Sequence, residues 1–232
     1  MIEERLKYLE WDSEFFNKEI YRLDLEKGIN LEELNSITQK IKCDLLYLFL
    51  KQELSTQSNE NFFLADKKII FEKNIDPTEH QTISPSIIPT YVLTSHLHEL
   101  ALLSGIYSRF KLDTRLDFKF GDLYKLWIEK SVSREMASEV FVYKEGEVDV
   151  GFVTIKKNEN IGIIGLIAVN EMYHSKNIGS LLLQAVEYWC LNNDINIIEV
   201  ATQLDNNKAC HFYRKNGFDV KQIDYIYHYY KQ

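Results

Sequence analysis

Two apolar spacings alternate along the chain, and each change from one to the other marks an element. In "IYRLDL", Ile20, Arg22 and Asp24 alternate with Tyr21, Leu23 and Leu25, the two-residue period of a half-buried strand. In "NLEELNSITQKI", Leu31, Leu34, Ile37 and Ile41 recur at helical spacing, with Asn30 placed as an N-cap. The runs "CDLLYLFL" and "KKIIFEK" read as strands. A strand–helix–strand order predicts a small α/β unit.

Further on, the spacing predicts a helix over about 94–108, an irregular segment "RFKLDTRLDFKFG", and a helix over about 123–131. Three strand-like runs follow, "EVFVYKE", "VDVGFVTIKK" and "NIGIIGLIAVN", broken by the turns "KEGE" and "KKNEN". A helix over 177–192, the strand "NIIEVATQL", a helix over 207–216 and the strand-like "YIYHYY" complete the chain. The fold class is therefore α+β, with a helix start at the end of the third meander strand, a location that suits a ligand. Between the halves, Asp76–Thr90 ("DPTEHQTISPSIIPT") holds all three prolines and reads as a linker. It divides a small N-terminal α/β domain, residues 1–88, from a larger one, residues 89–232.

Composition narrows the classes. With 45% hydrophobic and 27% charged residues in 232, the chain is globular rather than disordered. A net charge of −8 argues against nucleic acid, which needs clustered Lys and Arg. It leaves room for a small anion held by backbone amides at a helix start. Cys43, Cys190 and Cys210 are odd in number and lack CxxC spacing, so neither a disulfide framework nor zinc is expected. His96 and His98 lack a third ligand, so no metal is expected. Without a signal segment or a long apolar run, the protein is expected to be cytoplasmic, with no membrane contact.

The chemistry concentrates after the third meander strand. An apolar strand (Ile163–Val169) runs through the loop "HSKNIG" into an apolar helix. Asn177 and Gly179 tolerate the tight or left-handed backbone that aims successive N–H groups at one anion. His174, Ser175, Lys176, Asn177, Ile178, Gly179 and Ser180 thus form a candidate pyrophosphate cradle, although a plain strand-to-helix turn fits the loop equally well. The Gly-x-Gly-x-x-Gly and Gly-Lys-Ser/Thr patterns are both missing. One strand later, "DNNKACHFYRKNGF" sets Asn206, Ala209, Tyr213 and Gly217-Phe218 in the spacing N-x-x-A-x-x-x-Y-x-x-x-G-F.

With that spacing the chain, from about Ile106 onward, resembles the GNAT-superfamily N-acetyltransferases. The family's loop, Arg/Gln-x-x-Gly-x-Gly/Ala, corresponds to His174 through Gly179. His174 stands where Arg or Gln is common, and Asn177 replaces the first glycine. The resemblance implies a mixed, mostly antiparallel sheet with a splayed strand and flanking helices. It implies acetyl-CoA or another short-chain acyl-CoA as co-substrate. Ile167, Ala168 and Val169 on the splayed strand would bind pantetheine and polarise the thioester carbonyl, with Asn206 bonding pantetheine. Tyr213 would protonate the departing thiolate. Asn206 also suits a helix cap and Tyr213 a core aromatic. Cys210 has no histidine paired to it, which favours direct attack in a ternary complex over a cysteine nucleophile. Asp113, Asp117 and Glu199 are candidate bases, each equally at home as a solvated or paired carboxylate.

Three segments, "WDSEFFNKEIYRL", "SRFKLDTRLDFKFGDLYKLWIEKSV" and "VATQLDNNKACHFYRKNGF", are similar to the amino-sugar acetyltransferases that act on dTDP-fucosamine. That resemblance implies a dTDP-linked amino sugar as acceptor and a place in cell-surface polysaccharide biosynthesis. Ser108, Arg109 and Phe110 offer a hydroxyl, a cation for phosphate and a stacking ring, with Asp117 nearby. The alternatives are another small amine, a protein N-terminus, or a non-catalytic module that binds acyl-CoA or nucleotide sugar. The aromatic "DYIYHYY" strand suits pairing across a homodimer.

Overall fold

The computed structural model describes residues 5–25, 29, 31–54, 61–76, 78 and 83–231. The expected cap Asn30 and the linker residue Pro77 lie outside the described residues. The chain begins with β1 (Leu6–Tyr8), α1 (Glu10–Phe16), β2 (Ile20–Leu25), α2 (Leu31–Thr38), β3 (Leu45–Leu50) and β4 (Phe62–Asn74). Next come β5 (Ile87–Pro89), α3 (Ser95–Ser104), α4 (Arg109–Leu112) and α5 (Phe120–Val132). The meander β6 (Glu139–Glu145), β7 (Val148–Asn158) and β8 (Ile161–Val169) leads into α6 (Ile178–Leu191). The chain closes with β9 (Ile197–Gln203), α7 (Asn207–Lys215) and β10 (Asp219–Tyr230).

Two compact units are present. The first comprises residues 1–69, 203–205 and 222–232. Its strands follow the order β1-β2-β3-β10-β4. β2 and β3 run parallel, Ile20 opposite Leu45, as a strand–helix–strand unit requires. β3, an interior strand, is buried at every position, so both of its faces are covered, which is why "LLYLFL" reads as one apolar run. Its core gathers Leu23, Leu34, Ile37, Leu46, Leu48 and Tyr227. α1 went unread because seven residues are too few for a periodic signal; Asn17 ends it in the left-handed conformation at φ 52°.

The expectation of dimer pairing through the C-terminal strand is corrected here. β10 is antiparallel to β3, from Tyr225 opposite Leu50 to Tyr230 opposite Leu45, and β4 is its other neighbour. Both hydrogen-bonding edges of the strand are in use, so its aromatic alternation reflects burial within one chain.

The second unit comprises residues 70–202 and 206–221, with strand order β4-β9-β8-β7-β6-β5. β5 to β8 are antiparallel in succession, whereas β8 and β9 run parallel. α3 and α5 cover one face: Leu97, Leu100, Ala101, Ile128 and Val132 pack on Val140, Val142 and Phe152. Thr94 caps α3, accepting from the Leu97 amide while donating to buried Asp149. α6 covers the opposite face, where its Ile178 and Leu182 crowd Gly151, the neighbour of Phe152 on β7. Among the described residues no helix is long and apolar enough to cross a membrane.

The units part between Ile69 and Ile70, inside β4, whereas the expected boundary after residue 88 falls inside β5. Proline marks where the chain turns; Pro89 closes a short edge strand, where a missing N–H costs little. It does not mark where one core ends. The segment expected to be irregular holds α4 and a 3-10 turn, Asp117–Lys119.

Two contacts tie α6 to the sheet. Glu187 is 5% exposed and meets Lys73 Nζ of β4 at 2.6 Å, so its charge is buried with a partner. Gly162 of β8 lies against Cys190; a Cβ there would sit 2.7 Å from the sulfur. Gly162→Ala should therefore destabilise the fold by about 1–3 kcal/mol through overpacking. In urea titrations, the Gly162→Ala/Cys190→Ala double variant should lose less than the sum of the two singles. Strict additivity would show that the Cys190 sulfur is not what the added methyl meets.

Candidate active site

The site is built on the second half of β8. Between the pairs Val153–Ile167 and Ile155–Ile164, β7 advances two residues while β8 advances three. β8 therefore carries one extra residue at Gly165–Leu166, a β-bulge opposite Thr154. On its other side, β8 pairs with β9 only from Ile161–Ile197 to Ile164–Val200. Both strands continue, to Val169 and Gln203, but no further pair joins them among the described residues. From Gly165 onward, the strand turns an unladdered edge toward β9, and Ile167, Ala168 and Val169 lie on it.

The loop after β8 is fixed by local bonds. Asn170 accepts from the Met172 amide, closing a 3-10 turn over Glu171–Tyr173. His174 Nε2 lies 3.0 Å from the Val169 carbonyl. A carbonyl only accepts, so Nε2 carries the hydrogen and the ring ties the loop back to the end of β8. His174 thus has a structural task that the family's Arg or Gln position did not suggest. Ser175 and Asn177 both take the left-handed backbone, at φ 66° and 60°. Asn tolerates that region well; for Ser it costs of order 1 kcal/mol.

α6 then starts at Ile178 with no side-chain cap, so its first amides and its dipole face outward beside exposed Lys176. Gly179 in that first turn abuts the Phe212 ring, where a Cβ would come within 3.0 Å. α7 is thereby seated against the start of α6.

On α7, Asn206 accepts from the Ala209 amide at 3.1 Å, an N-cap that occupies its carbonyl oxygen and leaves its amide NH2 uncommitted by that bond. Tyr213 is 3% exposed and packed among Phe71, Phe212 and Phe218, with ring centroids 5.3–5.7 Å away. Burial, and secondarily Cys210, pushes its phenol well above the usual range, so the hydroxyl stays protonated. Cys190 is pushed up to about 12 by burial, then by Glu187, which removes it as a thiolate.

The predicted acceptor residues sit on another part of this unit. Ser108 is buried as the N-cap residue of α4, and its hydroxyl makes no capping bond. The Arg109 guanidinium lies 4.6 Å from the ring of Phe110, which packs edge-on against Trp127. Asp117 is half-buried on the 3-10 turn. Of the candidate bases, Asp113 accepts from the Arg115 amide, and Glu199 is paired to Lys221 at 2.6 Å. α3, which packs on β7 and β8, leads into this segment. Thr154 escaped sequence reasoning altogether. The bulge opposite it did have a signal in Gly165, a glycine inside a strand, which often marks a bulge.

A strand parted from its parallel neighbour and leading into an uncapped helix, with helices on both faces of a mixed sheet, is the architecture of an N-acetyltransferase fold. The chain belongs to the acetyltransferase (GNAT) family, whose profile matches residues 103–218, half of its length. Over 98 residues it is 31% identical to streptothricin acetyltransferase A of Bacillus subtilis (strain 168). That match takes in 42% of this chain and 57% of the relative, so the chain spans little more than half of that protein's length. A solved structure from Novosphingobium aromaticivorans assigned to the GNAT family is similar at a TM-score of 0.54 and 9% identity, over 91% of this chain and 88% of that one. The PaiA N-acetyltransferase of Thermoplasma acidophilum, solved with coenzyme A, gives 0.50 at 19% identity, over 63% of this chain and 99% of that one. At such identities the structures report the fold alone.

Asn206→Ala should lower stability by about 1 kcal/mol through loss of the cap, and Asn206→Asp should retain it. Thermal melts of both variants check this; equal losses in the two would remove the capping role.

Proposed function

We propose that this protein moves an acetyl or other short acyl group from acyl-CoA to an amine, by direct attack in a ternary complex. The single observation that carries this reading is the edge of β8 left open beyond Ile164 and continuous with the uncapped start of α6. An extended thioester ligand with a pyrophosphate needs both: strand groups along its arm and amides at its anion. The loop from His174 to Ser180 holds the pyrophosphate, chiefly through backbone amides, and Ile167, Ala168 and Val169 receive the pantetheine arm. A positioned backbone N–H at the carbonyl oxygen is worth about 3 kcal/mol in the transition state. Asn206 contributes its free amide hydrogens to the arm while capping α7.

The acyl donor supplies the activated carbonyl. The amine nitrogen bonds to that carbon as the carbon–sulfur bond breaks, and the departing sulfur takes the proton held by Tyr213. The nitrogen's surplus proton leaves to water or to Asp117, since Asp113 and Glu199 are committed elsewhere, and a proton from solvent restores the Tyr213 phenol for the next turnover. The acceptor is the amine of a dTDP-linked amino-dideoxy sugar. The three resembling segments support it, as do Arg109 and Asp117, the two partly exposed members of the set Ser108, Arg109, Phe110 and Asp117, which offer a cation for phosphate and a carboxylate. Such an enzyme would work in the cytoplasm and feed cell-surface polysaccharide assembly. A second acceptor class, a small antibiotic amine such as streptothricin, is favoured by the name of the 31% identical relative.

The test follows free thiol with acetyl-CoA and longer acyl-CoAs against a panel of dTDP-amino sugars and streptothricin. Turnover with the sugars supports the first acceptor and turnover with streptothricin alone the second. Silence across the panel would overturn both. Tyr213→Phe should lower kcat about 100-fold while leaving acetyl-CoA affinity within about threefold. Because burial raises the Tyr213 pKa, the acid form persists as pH rises, and the alkaline limb of kcat should lie above about pH 10, the free phenol value. A limb below pH 9 that vanishes in Tyr213→Phe would contradict the assignment.

A further inference from the structure

We infer that Thr154 is a positioning residue that holds the β8 bulge in the shape the acyl donor requires; this rests on the acyltransferase reading above. Thr154 is 2% exposed and lies on β7 directly opposite the doubled residues Gly165 and Leu166. Its Oγ1 accepts from the Leu166 N–H at 2.9 Å. An extra residue in one strand leaves one amide without its ladder carbonyl, and a buried amide without a partner is costly. Here a side chain takes the carbonyl's place.

The surroundings argue that the hydroxyl is there for that purpose. Thr154 shares its sheet face with Phe152, two residues away, and with Val140, its partner on β6. Both belong to the apolar layer under α3 and α5. Valine has the same shape and suits that layer better, because a hydroxyl buried there loses its water. Gly165 lies just as close, and a Cβ on it would stand 3.0 Å from Thr154 Oγ1. The staple and the small residue beneath it fix where β8 bends. The bend in turn sets the direction of Ile167, Ala168 and Val169, the residues proposed to receive the thioester.

The experiment compares the wild type with Thr154→Val, Thr154→Ala and Thr154→Ser. It uses the full chain, calorimetric binding of acetyl-CoA normalised to folded protein, and hydrogen exchange of the Leu166 amide. Val and Ala, which lack the hydroxyl, should weaken acetyl-CoA binding about five- to tenfold and speed Leu166 exchange at least about tenfold. Ser, which keeps it, should stay within about twofold in both. A purely structural role would lower the folded fraction and leave affinity per folded molecule unchanged, and that outcome overturns the inference. Should Val fail to fold, the Ala and Ser pair still isolates the hydroxyl. If the wild type itself binds no acetyl-CoA, the acyltransferase reading falls and the inference with it. Leu166 exchange then reports separately whether the staple exists.

Discussion

The loss of pairing between β8 and β9 beyond Ile164 and Val200 is the condition to which the rest of the second unit is fitted. A sheet that stops pairing inside its own body exposes main-chain groups that burial would penalise, so the break must be held open by something. On the β7 side it is held by the bulge and the Thr154 hydroxyl. At the far end it is held by His174, whose ring bonds the last carbonyl of the strand. Between these two fixtures runs a short stretch of strand, anchored at both ends, whose edge toward β9 is unladdered. Anchoring of that kind lowers the entropy lost when a ligand settles.

The helix start obeys the same logic by different means. Two non-glycine departures into the left-handed region, at Ser175 and Asn177 on either side of Lys176, are tolerable because the flanking turn and the seating of Gly179 on Phe212 determine the loop from both sides. The family's usual glycine would reach the same backbone more cheaply. Asn177 reaches it with a side chain that makes no capping bond to the helix it precedes.

Much of this was legible in the sequence, and the parts that were not share a cause. The meander β6 to β8, α6, β9 and α7 emerged from periodicity to within one or two residues, because each buries one face or both. α1, β5 and α4 did not, since elements of three to seven residues have too few positions to show a period. The cradle residues were readable as a loop type, but the task of His174 was not, because its partner is a main-chain carbonyl and carbonyls carry no letter. The bulge had one letter, Gly165, that could have announced it. Thr154 could not have been found, for it matters only through a register known once the strands are paired. The expected pairing of the C-terminal strand across a dimer failed for a related reason: an aromatic alternation looks the same on an edge strand as on an interior one.

The Lys73–Glu187 pair joins β4 to α6 with a carboxylate that has almost no access to water. Losing Lys73 alone strands the Glu187 carboxylate in the core, and losing Glu187 alone leaves a part-buried ammonium without this partner, whereas exchanging both for apolar residues of similar volume is far better tolerated. Substitution at these two positions is therefore a two-step path whose intermediate is the least fit state. Across related chains they should drift as a unit, so that a neutral residue at one predicts a neutral residue at the other.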